Sequence, residues 1–338
     1  MSKVFGVTKF FNNGTKWVVL INRILSLSFI CSISCLISLT SFGQPGIDSS
    51  FESTLLTDHK LVGKIWSSRS QSFIEIEEFL SYSENASYLL LGEKHDNPDH
   101  HTLQLYILNY FLEREKVSNV SLEMLESDDQ VRLNALQENS NQNSISISLA
   151  SLNEELDWDD EGWDWGFYGP LIQAALQGGA PLSAGNITTE TMQQVYGDSN
   201  TLDGALQFDN HIVDKLNQDI DESHCGLLPE SQFPSMVRVQ RARDVSLASS
   251  LHLPAAEKLS VLIAGNYHIR QDLGVPNYLM GQNSQLERQQ IVAISFMEVS
   301  EDINDPAEYL QQFNDVAAFD FIWFTPAVSN EDYCASLL

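Results

Sequence analysis

Six short apolar runs, each bounded by turn-forming residues, constrain this chain more than any other feature. They are Tyr88–Leu91, Val120–Leu125, Pro181–Ala184, Ser260–Ala264, Ile291–Phe296 and Phe319–Phe324. Runs this unbroken suit strands buried on both faces, as in a parallel sheet. Amphipathic stretches lie between them. Leu103, Ile107, Leu108 and Phe111 share one face of a helix expected to start near His100, and Met236, Val239, Ala242 and Val245 do the same later. Alternating strands and helices predict an α/β fold with helices on both sides of the sheet. The Asn- and Ser-rich segment Gln137–Asn153 reads as an insertion or mobile loop. After it, Leu156–Tyr168 is acidic and aromatic, with Trp158, Trp163 and Trp165.

The polar residues fall at informative places on these runs. Tyr88–Leu91 leads into Gly92-Glu93-Lys94-His95, and Ser260–Ala264 into Gly265-Asn266-Tyr267-His268. Pro181–Ala184 ends at Gly185-Asn186, and Glu123 lies inside Val120–Leu125. Ligands of an open parallel sheet bind at the carboxyl ends of its strands, so these four places should converge on one rim. One Gly-x-x-His means little, because a lone histidine is often a core residue. Two of them after buried strands carry more weight. Glu123 carries most, since a carboxylate in an apolar run is costly to bury without a partner or a metal. Glu93, His95, Glu123 and His268 together would also make a divalent-metal shell.

Two Gly-x-x-His elements with a glutamate between them resemble the Tiki superfamily, whose members include metal-dependent proteases and the ChaN haem-binding branch. The stretch from Leu89 to His101 is similar to the opening motif of that branch, and Ser121–Leu125 to its second. Trp163–Pro170 and the Ala184-Gly185-Asn186 turn resemble its middle section. His224-Cys225-Gly226, Gln240–Asp244 and Gly265 to Pro276 look like its end. The likeness spans roughly 84–280 and is specific as a set.

It implies a three-layer α/β/α fold with a mainly parallel central sheet and a role in haem or iron uptake. The implied location is periplasmic or attached to the outer membrane. A haem receptor of the outer membrane and a second copy of the chain are the partners to consider. The chain lacks Cys-x-x-Cys-His, so haem would be held non-covalently. Its candidate ligands are Tyr168, Tyr196 and His224, with Gly92, Asn186, Gly265 and Asn266 shaping the rim. The Trp158, Trp163, Trp165 and Tyr168 group could cover a porphyrin face, although aromatic groups more often form core or lid. Arg238, Arg241 and Arg243 fall on one expected helix; surface pairing with acids is the first expectation for most, contact with propionates the second. His59, His211 and His252 read as surface residues.

Charge and the chain's beginning bound the setting. The formal charge is −28, and all 46 acids follow residue 43, whereas four of the 18 basic residues precede it. Such a surface repels phosphate backbones, which argues against nucleic acid as a partner. Basic residues up to Arg23 and the apolar run Ile24–Leu39 precede Thr40-Ser41-Phe42-Gly43. That order predicts a secretory signal over 1–43, export across the inner membrane and a single domain over 44–338. An uncleaved anchor is the alternative, and Cys35 lacks the small-residue box of a lipoprotein. Outside the signal, Cys225 and Cys334 remain, either as a disulfide or as two free thiols.

Three functional readings follow. The first is a haem carrier of the envelope that is not an enzyme. The second is a metal-dependent hydrolase or protease, with a divalent ion on the rim activating water. The third is an interaction protein whose rim is structural.

Overall fold

The computed structural model describes residues 51–143, 147–198, 210–331 and 334–335; the expected signal lies outside them. Its strands are β1 (Ile65–Ser67), β2 (Ser72–Ile74), β3 (Tyr88–Glu93), β4 (Val117–Glu126), β5 (Leu182–Asn186), β6 (Leu259–Gly265), β7 (Ile291–Glu298), β8 (Gln312–Phe313), β9 (Val316–Ala317) and β10 (Phe321–Thr325). Its helices are α1 (Ile76–Ser83), α2 (Pro98–Leu112), α3 (Gln130–Asn143), α4 (Leu149–Leu156), α5 (Trp165–Gln177), α6 (Thr189–Gly197), α7 (Asn210–Ser223), α8 (Phe233–Ser250) and α9 (Val275–Gln282).

All six apolar runs are strands, and they lie in one eight-stranded sheet of order β2-β1-β10-β7-β3-β6-β4-β5. From β10 to β5 every pairing is parallel, while β1 and β2 extend one edge antiparallel. Consecutive Leu89, Leu90 and Leu91 are all fully buried, so both faces of β3 are covered. On one face Leu90, Leu262, Ala293 and Phe324 pack with Leu247 of α8, Leu251 just after that helix and Leu279 of α9. On the other, Gln104 of α2 reaches Glu93, whose side chain points away from the Leu90 face. The architecture is a three-layer α/β/α fold with a mainly parallel sheet.

The segment 137–153 departs from its sequence reading. It is largely helical, with α3 running to Asn143 and α4 beginning at Leu149; residues 144–146 lie outside the description. Polar composition hides the anchors. Leu133 and Leu136 of α3 and Leu152 and Leu156 of α4 are buried, and the Ser148 hydroxyl caps α4 by accepting the Ser151 N–H at 3.1 Å.

Cys225 and Cys334 form a disulfide, with Cα atoms 5.4 Å apart. It joins the turn after α7 to the C-terminal tail. That turn is left-handed, with φ of 59° at Cys225 and 67° at Gly226, and the Gly226 N–H returns to the Asp221 carbonyl at 2.9 Å.

Candidate functional site

The rim assembles because β3, β6, β4 and β5 are sheet neighbours whose carboxyl ends share one edge. Glu93 pairs with Gly265 across β3 and β6. Between Leu122 and Glu126 the register of β4 against β5 shifts, and Glu123 lies in that irregular stretch. The Asn186 amide donates to the Glu123 carbonyl at 3.0 Å, and the Asn266 amide to the Phe296 carbonyl at 2.9 Å. Two glycines allow the close approach. A Cβ on Gly92 would stand 2.4 Å from Asn266 Oδ1, and one on Gly265 would stand 2.9 Å from His95 Nε2.

Glu93 is the first hub. It accepts from the Tyr168 hydroxyl at 2.6 Å and the Gln104 amide at 2.6 Å, and His95 Nδ1 lies 2.8 Å away. His101 Nδ1 stands 3.3 Å from its second oxygen, while His101 Nε2 donates to the His95 carbonyl at 3.0 Å. Burial alone would raise the Glu93 carboxyl, but the imidazoles of His101 and His95 hold it well below the usual carboxylate range. Tyr168 responds in the opposite sense. Burial, and then the negative charge and hydrogen bond of Glu93, push its phenol far above the ordinary value, so it stays a neutral donor.

Glu123 is the second hub. It accepts the Gly265 N–H at 2.7 Å and lies 3.3 Å from His268 Nε2. His268 Nδ1 donates to Asp244 at 2.6 Å, and the Gln240 amide lies 3.0 Å from the same nitrogen. Burial would lower the His268 pKa, but Glu123 and Asp244 overcome it and push it up to about 10. The ring is therefore an imidazolium at neutral pH. Burial would raise Glu123, but the charge of His268, its hydrogen bond and the charge of His95 bring it down to about 2. His95, with its side chain 40% exposed, is the member of this group most open to solvent. Burial works against its protonation, yet Glu93 and Glu123 raise it.

Glu93, His95, Glu123 and His268 thus lie together, with Tyr168 beneath them. Trp163 meets the His95 ring edge-on at 5.0 Å, and Phe167 stacks on His101 at 4.4 Å, so the aromatic stretch packs over the rim. Among the described residues no three His, Cys, Asp or Glu side chains gather as a metal site. The Glu93 and Glu123 oxygens are engaged by Tyr168, Gln104 and the Gly265 N–H, a donor set that does not fit a divalent ion as arranged.

Tyr196 and His224 fall elsewhere. With Met192, Met236, Val239 and Arg243 they line a groove of ≈ 510 Å³ formed by α6, the end of α7 and α8. Arg238 fixes the last turn of α6 by donating to the Val195 and Tyr196 carbonyls at 3.1 and 2.8 Å. The Tyr196 hydroxyl donates to Gln232 at 3.1 Å. His224 Nδ1 donates to the Ile220 carbonyl at 2.7 Å. Gln240 lines the groove and also reaches His268, so α8 is the wall between groove and rim. Of the other histidines, His211 and His252 are exposed and His59 is half-buried.

Sequence reasoning missed the helix-borne partners of the rim, His101 and Gln104 on α2 and Gln240 and Asp244 on α8. It also missed His100, a neighbour of the rim rather than part of it. His100 accepts the Lys94 N–H at 2.9 Å and contacts Thr325 Oγ1 at 3.0 Å. Burial brings its pKa down to about 3, so it is a neutral anchor for the turn after β3.

The family model described as haem-binding uptake, Tiki superfamily, ChaN matches residues 79–279. No curated protein matches the chain. Among solved structures, ChaN of Campylobacter jejuni, described with cofacial haem binding, is 25% identical at a TM-score of 0.61. That match covers 77% of this chain and 95% of the other. A mutant of the erythromycin esterase EreC in its open conformation is 12% identical at a TM-score of 0.44, covering 80% and 99% of the two chains. A MARTX toxin effector domain from Vibrio vulnificus is 14% identical at a TM-score of 0.37, covering 76% and 41%.

Proposed function

The chain belongs to the ChaN haem-binding uptake family of the Tiki superfamily, and from that we propose that it binds haem non-covalently in the groove of α6, α7 and α8. The observation that carries this site is the His224 ring. Its Nδ1–H is held by the Ile220 carbonyl at 2.7 Å, which leaves the lone pair on Nε2. Metal-binding histidines characteristically donate their other ring N–H to such a carbonyl. The groove offers Met192, Met236 and Val239 as an apolar bed, and ≈ 510 Å³ lies within the usual range of ligand sites, about 300–1,000 Å³. Tyr196, 37% exposed, is a second ligand candidate in the same groove. Tyr168 is a third, and ligation there would have to displace its hydrogen bond to Glu93.

The wider role follows the same reading. We propose export across the inner membrane and action in haem or iron uptake, in the periplasm or at the outer membrane. Support comes from the family, from the basic-then-apolar beginning of the chain, and from the Cys225–Cys334 bond, which suits an oxidising compartment. An outer-membrane haem receptor and a second copy of the chain remain the proposed partners. The rim, with its carboxylates already satisfied, acts in this reading as the framework that holds α8 in place.

Titration of the purified protein with haem tests the reading. We expect a saturable shift of the Soret band that weakens in His224→Ala or Tyr196→Phe and persists in Tyr168→Phe. A spectrum that stays that of free haem at every ratio would sink the carrier reading. Equal binding by all three variants would sink the ligand assignment alone.

A further inference from the structure

Arg243 lines the same groove, and its surroundings call for a ligand of particular chemistry. Its Nε is buried with no hydrogen-bond partner, and Nη2 meets the Met192 thioether at 3.6 Å. No further partner of this guanidinium occurs among the described residues. The contrast along α8 is sharp. Arg238 spends its donors on the Val195 and Tyr196 carbonyls and the Ser235 hydroxyl. A chain with 46 acids and 18 basic residues has carboxylates in excess, yet among the described residues none is set against Arg243. A buried donor without an acceptor is destabilising, so such a group in a ligand groove points to an acceptor that arrives with the ligand.

We propose that Arg243 is the anion anchor of this groove and pairs with a free carboxylate of a bound tetrapyrrole. The site therefore selects porphyrins that keep at least one ionised acid side chain. The planar guanidinium fork suits a carboxylate better than any neutral oxygen, and the apolar lining strengthens the pairing by excluding water. This inference rests on the haem reading above and adds the chemical class that the groove accepts.

The test compares haem with haem dimethyl ester, in which both carboxylates are blocked, on the purified protein and on Arg243→Met. The parent should bind haem about ten- to a hundredfold more tightly than the diester, and Arg243→Met should lose that preference. Arg243→Lys should restore part of it. Equal affinity of the parent for both porphyrins would overturn the anchor and leave the haem reading standing. So would a preference that survives in Arg243→Met. Binding of neither porphyrin would overturn the haem reading, and the anchor with it. Because the first comparison uses the unaltered chain, a variant that fails to fold does not remove the test.

Discussion

The imidazole of His268 lies 2.6 Å from the Asp244 carboxylate, and this contact ties α8 to the loop that follows β6. On its far side the ring faces Glu123 at 3.3 Å. One cation thus serves two buried acids, and the pH dependence of stability follows from it. The pKa of His268 is raised from 6.5 to about 10, burial being outweighed by Glu123 and Asp244. A raised histidine contributes stability that is complete below its unfolded value and is lost as pH rises through its folded value. Urea unfolding should therefore show the parent losing stability between about pH 6.5 and about pH 10. His268→Gln should lack that component, and parallel curves for the two proteins would contradict the pairing.

Removing Glu123 should harm folding before it harms binding. Glu123→Ala leaves His268 with one acid and the Gly265 N–H with no acceptor, at a cost of about 3–5 kcal/mol. Tyr168→Phe deletes a donor to a buried carboxylate and should cost about 1–3 kcal/mol. Denaturant midpoints check both. A Glu123→Ala protein as stable as the parent would mean that the rim is not structural.

The strands were legible in the sequence because parallel strands buried on both faces must be apolar along their whole length. β1 and β2 escaped because each has only three residues, and β2, the edge strand, leaves Phe73 exposed. The rim was legible wherever a polar residue interrupts or ends an apolar run, as Glu93, Glu123 and His268 do. Its helical half was not, because a helix shows its inward face only through a stripe. The signal was present all the same. Asp244 precedes the buried Leu247, Ala248 and Leu251 by three, four and seven residues, and Gln104 precedes Leu108 and Phe111 by four and seven. A polar residue on such a stripe is a site residue in waiting. The buried, unpartnered Nε of Arg243 had no sequence signal, since it depends on which described side chains the fold brings beside it.

The disulfide should matter for both stability and haem. It closes a loop of 109 residues and pins the turn that carries His224. Cys334→Ser should lower stability by about 2–4 kcal/mol. It should also weaken haem binding, read from the same Soret titration, whereas a fully retained affinity would uncouple the turn from the site.

Diffraction from haem-loaded crystals, with anomalous signal at the iron edge, tests the central claim most directly. The account predicts one iron position per chain in the groove of α6, α7 and α8, within bonding distance of His224 Nε2 or the Tyr196 oxygen. Iron over Glu93, His95, Glu123 and His268, with the groove empty, would contradict it.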